Sequence, residues 1–296
     1  MRKIRNKLML TMMVLTLLPA VLIGAYSIYT TSEALRETAL SAQRNQLTQT
    51  KHSIEHHVSG VENDLVFLRD SGALQLYLSA KRSSLKRSSL LLENLRNSTL
   101  LFAQQQQIYS SVHLLDRQGR EILRIENMDG QAKSLTKKNG LRNLKGQAFF
   151  RQASTLKRGQ IYISPMELRK DGDNIITPHQ PIIRYVTAVA DKNGRMQAVL
   201  VLNLNGNLVI DNVTENINPA WSLLFTDPDG YYYYNPESSK RWGNPRDLNN
   251  ASNAFDDTAL SLSSLKDATE AKLLESDDNI TLSQPISLGE GRPSLG

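Results

Sequence analysis

The chain of 296 residues contains no cysteine. That excludes disulfides, thiolate metal sites, thioether-linked haem and a cysteine nucleophile together. The compartment stays open, because exported domains also dispense with cysteine. Catalytic signatures are missing as well: there is no glycine-rich phosphate loop, no Gly-x-Ser-x-Gly elbow and no pair of metal ligands along a strand. No basic patch with interleaved aromatics occurs, so nucleic-acid binding has no basis in the sequence. The run "KRSSLKRSS", Lys81 to Ser89, is the one basic cluster and reads as a solvated helix face.

Charge is also missing from one long stretch. No charged residue lies between Leu8 and Ser32, and those 25 residues follow Arg2, Lys3, Arg5 and Lys7. About 20 apolar residues suffice to cross the ~30 Å hydrocarbon core, whereas a cleaved signal has an apolar core of about 7–15. The expected layout is a cytoplasmic tip at 1–7, a transmembrane helix at 8–30 and an outward-facing chain from about residue 31. In a bacterium that places the chain in the inner membrane with the rest periplasmic or extracellular. Four of the formal net charge of +6 belong to the tip, so the remainder is close to neutral.

From residue 31 to 70 the spacing predicts one long helix. Leu40, Leu47, Ile54, Val61 and Leu68 recur every seventh residue, and Val58 and Leu65 add a second seam. Such a stripe either packs on its own domain or joins two copies into a homodimer, and both uses can coexist. His52 and His56 share a helix face at i, i+4 with His57 beside them. No carboxylate motif accompanies them, so they read as solvated histidines and no metal is expected.

Beyond the breaker "DSGA" at Asp70–Ala73 and a second helical stretch from about Ser84 to Gln107, the texture becomes strands. Three times the chain writes strand, Asp-x-x-Gly, strand: Asp116–Gly119, Asp191–Gly194 and Asp227–Gly230. Aspartate at the first turn position accepts local N–H groups and glycine takes the positive φ that closes the loop. Antiparallel hairpins separated by helices give an α+β fold. Its expected parts are a module at 71–206, a connector at 207–216 and a second module at 217–296 that reads as incomplete. A helix within Leu144–Gln160 stopped by Gly159, a short strand "IYIS" and a turn "RKDGDN" complete the first module. The tyrosine run 231–234 reads as structural, and His113 as packed on the sheet face.

Arg184 interrupts the apolar strand "IIRYVTAVA". Its guanidinium stays charged at any ordinary pH, so it must reach water, pair with an internal acid or hold an anionic ligand. Asp171, Asp173 and Glu167 are the candidate acids. Tyr162, Ser164 and His179 lie nearby in sequence with polar tips and are the candidate companions in a ligand site.

These residues resemble the extracytoplasmic double Cache sensors, tandem PAS-like modules of bacterial transmembrane receptors. The resemblance rests on the order of parts and on three segments: "GQIYISPMEL", Pro178 to Arg184 running into "ADKNGRMQAVLVLNL", and "DPDGYYYYNPESSKRWG". It implies a long N-terminal helix carrying two antiparallel-sheet modules, no cofactor, a small-molecule ligand and a homodimer in the membrane. It further implies an output domain beyond residue 296, a histidine kinase first, with a diguanylate cyclase or chemotaxis receptor as alternatives. The competing class is an extracytoplasmic enzyme or adhesion domain on a membrane anchor.

Overall fold

The computed structural model describes residues 2–80, 85–128, 130–135, 140–215, 217–218, 221–257, 272–275, 280–287 and 294–295. Helix α1 runs from Arg2 to Asp70, and α2 (Gly72–Ala80) and α3 (Leu85–Gln105) follow. The chain divides into two compact units, residues 1–49 and 50–296. The first is helix alone. It holds an apolar window long enough to cross a membrane, with Pro19 inside it. The first four residues of the basic run, 81–84, lie outside the described residues, and the others open α3.

The second unit is built on one antiparallel sheet. Its strands are β1 (Tyr109–Asp116), β2 (Glu121–Met128), β3 (Gln131–Leu135), β4 (Ile161–Ile163), β5 (Glu167–Leu168), β8 (Pro181–Ala190) and β9 (Met196–Asn205), with helix α4 at Ala148–Thr155. Strands β6 (Lys170–Asp171) and β7 (Asn174–Ile175) form a separate hairpin whose turn at Gly172 and Asp173 lies within the expected turn "RKDGDN". The order in the sheet is β3-β2-β1-β9-β8-β4, with β5 also paired to β8. All pairs are antiparallel.

The three Asp-x-x-Gly turns share one geometry. In each, the glycine N–H donates to the aspartate carbonyl at 3.0 Å. One carboxylate oxygen accepts two further N–H groups, from Gln118 and Arg120, Asn193 and Arg195, or Asp229 and Tyr231, at 2.8–3.0 Å. Gly119, Gly194 and Gly230 take φ of 79, 76 and 87°. Two turns join strands of the large sheet, and the third joins β10 (Phe225–Thr226) to β11 (Tyr232–Tyr234).

Alternation along the strands sends two residue sets to two faces. Val112, Leu114, Leu123, Ile125, Tyr185, Leu200 and Leu202 belong to the larger core, together with Leu74, Leu95 and the α1 residues Ile54, Val58, Val61, Leu65 and Leu68. These five α1 side chains are 0–7% exposed. The outer half of the stripe therefore packs on its own module. Leu115, Val186, Val199 and Val201 pack on the opposite face against Phe149, Phe150 and Ala153 of α4. Helix α4 ends at Thr155, four residues before Gly159, whose φ of +88° belongs to the following turn.

The stretch read as a connector is helical: α5 spans Gly206–Thr214, capped by the Asn205 side chain accepting from Asn207 N at 3.1 Å. Val209 and Val213 bury one face of it, which its apolar spacing of four accounts for. Beyond it, Tyr233 packs between Phe225 and Trp242 at 5.4 and 5.6 Å, and Tyr232 donates to Asp257 at 3.0 Å. The tyrosine run is structural, as its sequence suggests. The four-residue helix α6 (Ala254–Asp257) and strands β12 (Lys272–Glu275) and β13 (Ile280–Ser283) follow.

Candidate ligand-binding site

The face of the large sheet that meets α4 carries an unusual polar row. Register places Glu126, Ser111, Asn203 and Arg184 side by side on four successive strands. Ser164 continues the row, its N–H donating to the Arg184 carbonyl at 2.9 Å. The neighbouring row runs Arg124, His113, Val201, Val186, Tyr162. Directly opposed side chains lie about 4.5–5.5 Å apart at Cβ, so these groups form one continuous surface. Ser111, His113, Arg124, Glu126, Ser164 and Asn203 are all more than nine-tenths buried. Buried charge on that scale needs compensation.

The compensation is largely internal. Glu126 accepts from both Arg124 and Arg169, and Arg169 also reaches Gln180 Oε1 at 3.3 Å. His113 Nδ1 lies 2.7 Å from Glu121, whose other oxygen accepts the Arg142 N–H at 2.8 Å. Burial pushes the His113 imidazole below its usual range, against the pull of Glu121. Burial works to raise Glu121, yet the His113 hydrogen bond, the Arg142 N–H and the Arg124 charge hold it low. The consistent state is a neutral imidazole donating from Nδ1 to an ionised Glu121.

Arg184 pairs with Glu167 at the end of the row and lies over the Phe149 ring, 5.4 Å from its centroid. Of the three candidate acids, only Glu167 is its partner. Asp171 pairs instead with Arg142 at 2.7 Å. Burial lowers Arg184 to about 10, opposed by Tyr162, so it remains a cation at neutral pH. Tyr162 shares this face, and burial raises its phenol. Ser164 supports the backbone rather than a ligand: its Oγ accepts from Arg184 N at 2.9 Å and donates to the Pro165 carbonyl at 2.8 Å. His179 is exposed in the segment between β7 and β8, outside the row.

Sequence reasoning assigned His113 to packing and passed over Ser111, Asn203, Arg124 and Glu126. A local signal existed in the period-2 alternation of polar residues in "SSVH" and "RIEN", but pairing across strands was needed to interpret it.

Strands β5 and β6 are tied to the segment that follows β11. Leu168 N–H donates to Asp247 Oδ1 at 2.8 Å, and Lys170 Nζ donates to the Arg246 carbonyl at 2.5 Å. On the opposite flank, Tyr109 donates to Asp64 of α1 at 2.6 Å and Asn212 of α5 to Ser53 at 2.9 Å.

A long helix laid on one face of an antiparallel sheet, with a buried polar row on the other, defines a PAS-like sensor module. Residues 37–254 match the family described as bacterial histidine kinase, sensor domain, and the chain belongs to that family. No curated relative matches it. Among solved structures it is similar to the extracellular domain of vpHK1S-Z8, assigned as a histidine kinase, at 21% identity and TM-score 0.71, covering 86% of this chain and 88% of that one. A domain assigned to the sensory box/GGDEF family from Vibrio parahaemolyticus gives 21% identity and 0.72, with 86% and 92% covered. The ligand-binding domain of the Campylobacter jejuni chemoreceptor Tlp3 in complex with L-valine gives 14% and 0.56, with 86% and 90% covered. At these identities the likeness is one of fold.

Proposed function

We propose that the chain is the extracellular input region of a membrane-bound histidine kinase and that its polar sheet face binds a small solute through an anionic group held by Arg184. The observation that carries this reading is the Arg184–Glu167 pair: a half-buried, charged guanidinium whose partner sits on a two-residue edge strand. A forked guanidinium suits a carboxylate, and the weakly built edge lets Glu167 give way. The incoming anion takes the place of Glu167, and the segment from Leu168 to Asn174 reseats over the site. That movement reaches the second module through Asp247 and the α1 helix through Tyr109–Asp64. A ligand shifts such an equilibrium only by its differential affinity for two states, which a displaced ion pair supplies.

In this reading residues 1–7 are cytoplasmic, 8–30 span the inner membrane and the chain works as a homodimer. Its modules are 71–206 and 217–296, with 207–216 between them as the connector. Because Ile54, Val61 and Leu68 are buried in their own module, dimer contacts use the membrane-near turns around Leu40 and Leu47. The absence of native cysteine makes the test direct. Single cysteines at Leu40 or Leu47 are expected to crosslink in membranes, and those at Ile54 or Val61 not.

The ligand reading is tested by melting the full chain in detergent with a panel of carboxylates. Arg184→Ala should abolish the ligand-induced shift and Lys should restore little of it, since it keeps the charge and loses the fork. A shift that survives in Arg184→Ala places the ligand elsewhere.

A further inference from the structure

The row beside Arg184 contains one buried acceptor whose role is unassigned. Asn203 is 7% exposed, and its Nδ2 donates to Ser111 Oγ at 2.8 Å and lies 3.1 Å from His113 Nε2. Its Oδ1 is buried with no hydrogen-bond partner among the described residues. The amide orientation follows from the chain of bonds. His113 Nδ1 faces the Glu121 carboxylate at 2.7 Å and so carries the proton. A neutral ring then leaves Nε2 as an acceptor, which requires donors around it: Nδ2 of Asn203 and the Ser111 hydroxyl at 2.9 Å. Turning the amide over would set Oδ1 against Nε2, acceptor to acceptor. Oδ1 is therefore the free atom, on the residue directly across from Arg184.

An unmade bond at a buried acceptor is a standing cost, so a ligand donor that makes it is strongly selected. Resting on the anion reading of Arg184, we propose that the ligand is a 2-hydroxy carboxylate, its carboxylate on Arg184 and its hydroxyl donating to Asn203 Oδ1. The two residues are direct partners on neighbouring strands, so their side chains stand beside one another, as two groups on adjacent carbons require.

The charge balance selects hydroxyl over ammonium. Glu121 and Glu126 are already taken by His113, Arg124 and Arg169. Glu167 is the acid that the ligand carboxylate displaces, which keeps charges one to one at Arg184. An ammonium at Asn203 would then be buried against a neutral amide without a counter-ion, at a cost that a hydroxyl does not incur.

The test uses matched triplets on the full chain in detergent, by titration calorimetry: glycolate, acetate and glycine; lactate, propionate and alanine; malate, succinate and aspartate. At least one hydroxy acid should bind, with its deoxy partner about ten- to a hundredfold weaker. In Asn203→Ala that ratio should fall to about one. The wild-type ratio decides the matter even where the variant does not fold. Equal binding of hydroxy and deoxy acids, or an amino acid binding more tightly than its hydroxy partner, overturns the hydroxyl assignment while leaving Arg184 as the anion site. Binding by no carboxylate overturns the anion reading and this inference with it.

Discussion

Replacing Glu167 by Gln removes the internal competitor for Arg184 while keeping size and hydrogen-bonding capacity. Two unit charges at about 4 Å interact by about 4 kcal/mol at an effective dielectric of 20. The side chains retain 17% and 30% of their exposure, so solvent reduces the pair well below that figure. A net 1–2 kcal/mol is a reasonable order of magnitude, or roughly five- to thirtyfold in an equilibrium constant. The expected result has two opposite signs. Without ligand, Glu167→Gln should melt earlier, because Arg184 loses its counter-charge. With a carboxylate present, the variant should bind about five- to thirtyfold more tightly and show the larger ligand-induced shift, because no bond has to be broken first. Melting and calorimetry on the same preparations measure both. The competition argument is refuted if the variant binds carboxylates more weakly than wild type, for then Glu167 is itself a ligand contact.

At Gly119, φ is +79° and an added Cβ would come within 2.7 Å of Lys145 backbone atoms, whereas Gly146 has open space; Gly119→Ala should cost about 2 kcal/mol or more, and Gly146→Ala little, by urea melts. His113 is held neutral by burial among Glu121, Arg124 and Arg184. Its folded pKa is depressed, so its stabilisation is complete above the unfolded value of about 6.5 and is lost as pH falls below it. Stability measured from pH 8 to 5 should fall through that window, and His113→Gln should flatten the slope. Asp247→Ala should leave ligand binding in place yet remove the ligand-induced change in fluorescence of Trp242, because the Leu168 N–H loses its acceptor there; an unchanged Trp242 response would mean the coupling takes another route.

The features that local chemistry controls could be read directly. Each Asp-x-x-Gly hairpin is decided within five residues, so its place and geometry were legible from the chain alone. The apolar window of α1, the stripe at Ile54 to Leu68 and the antiparallel strands followed from spacing in the same way. The helix at Gly206–Thr214 escaped because a short segment with Gly206 and two asparagines has weak propensity, and burial of Val209 and Val213 decides it. The site was half visible. A lone arginine in an apolar strand announces that it must pair, and Glu167 was one of three acids that could answer. Choosing among them required the β5–β8 register, and finding the rest of the row required more. Asn203 meets Ser111 from 92 positions away and Arg169 meets Glu126 from 43, and period-2 alternation says which residues share a face without saying which strands are neighbours. A single strand carries the direction of its side chains in its own sequence; what stands beside them is set by the order of strands, and that order belongs to the tertiary structure.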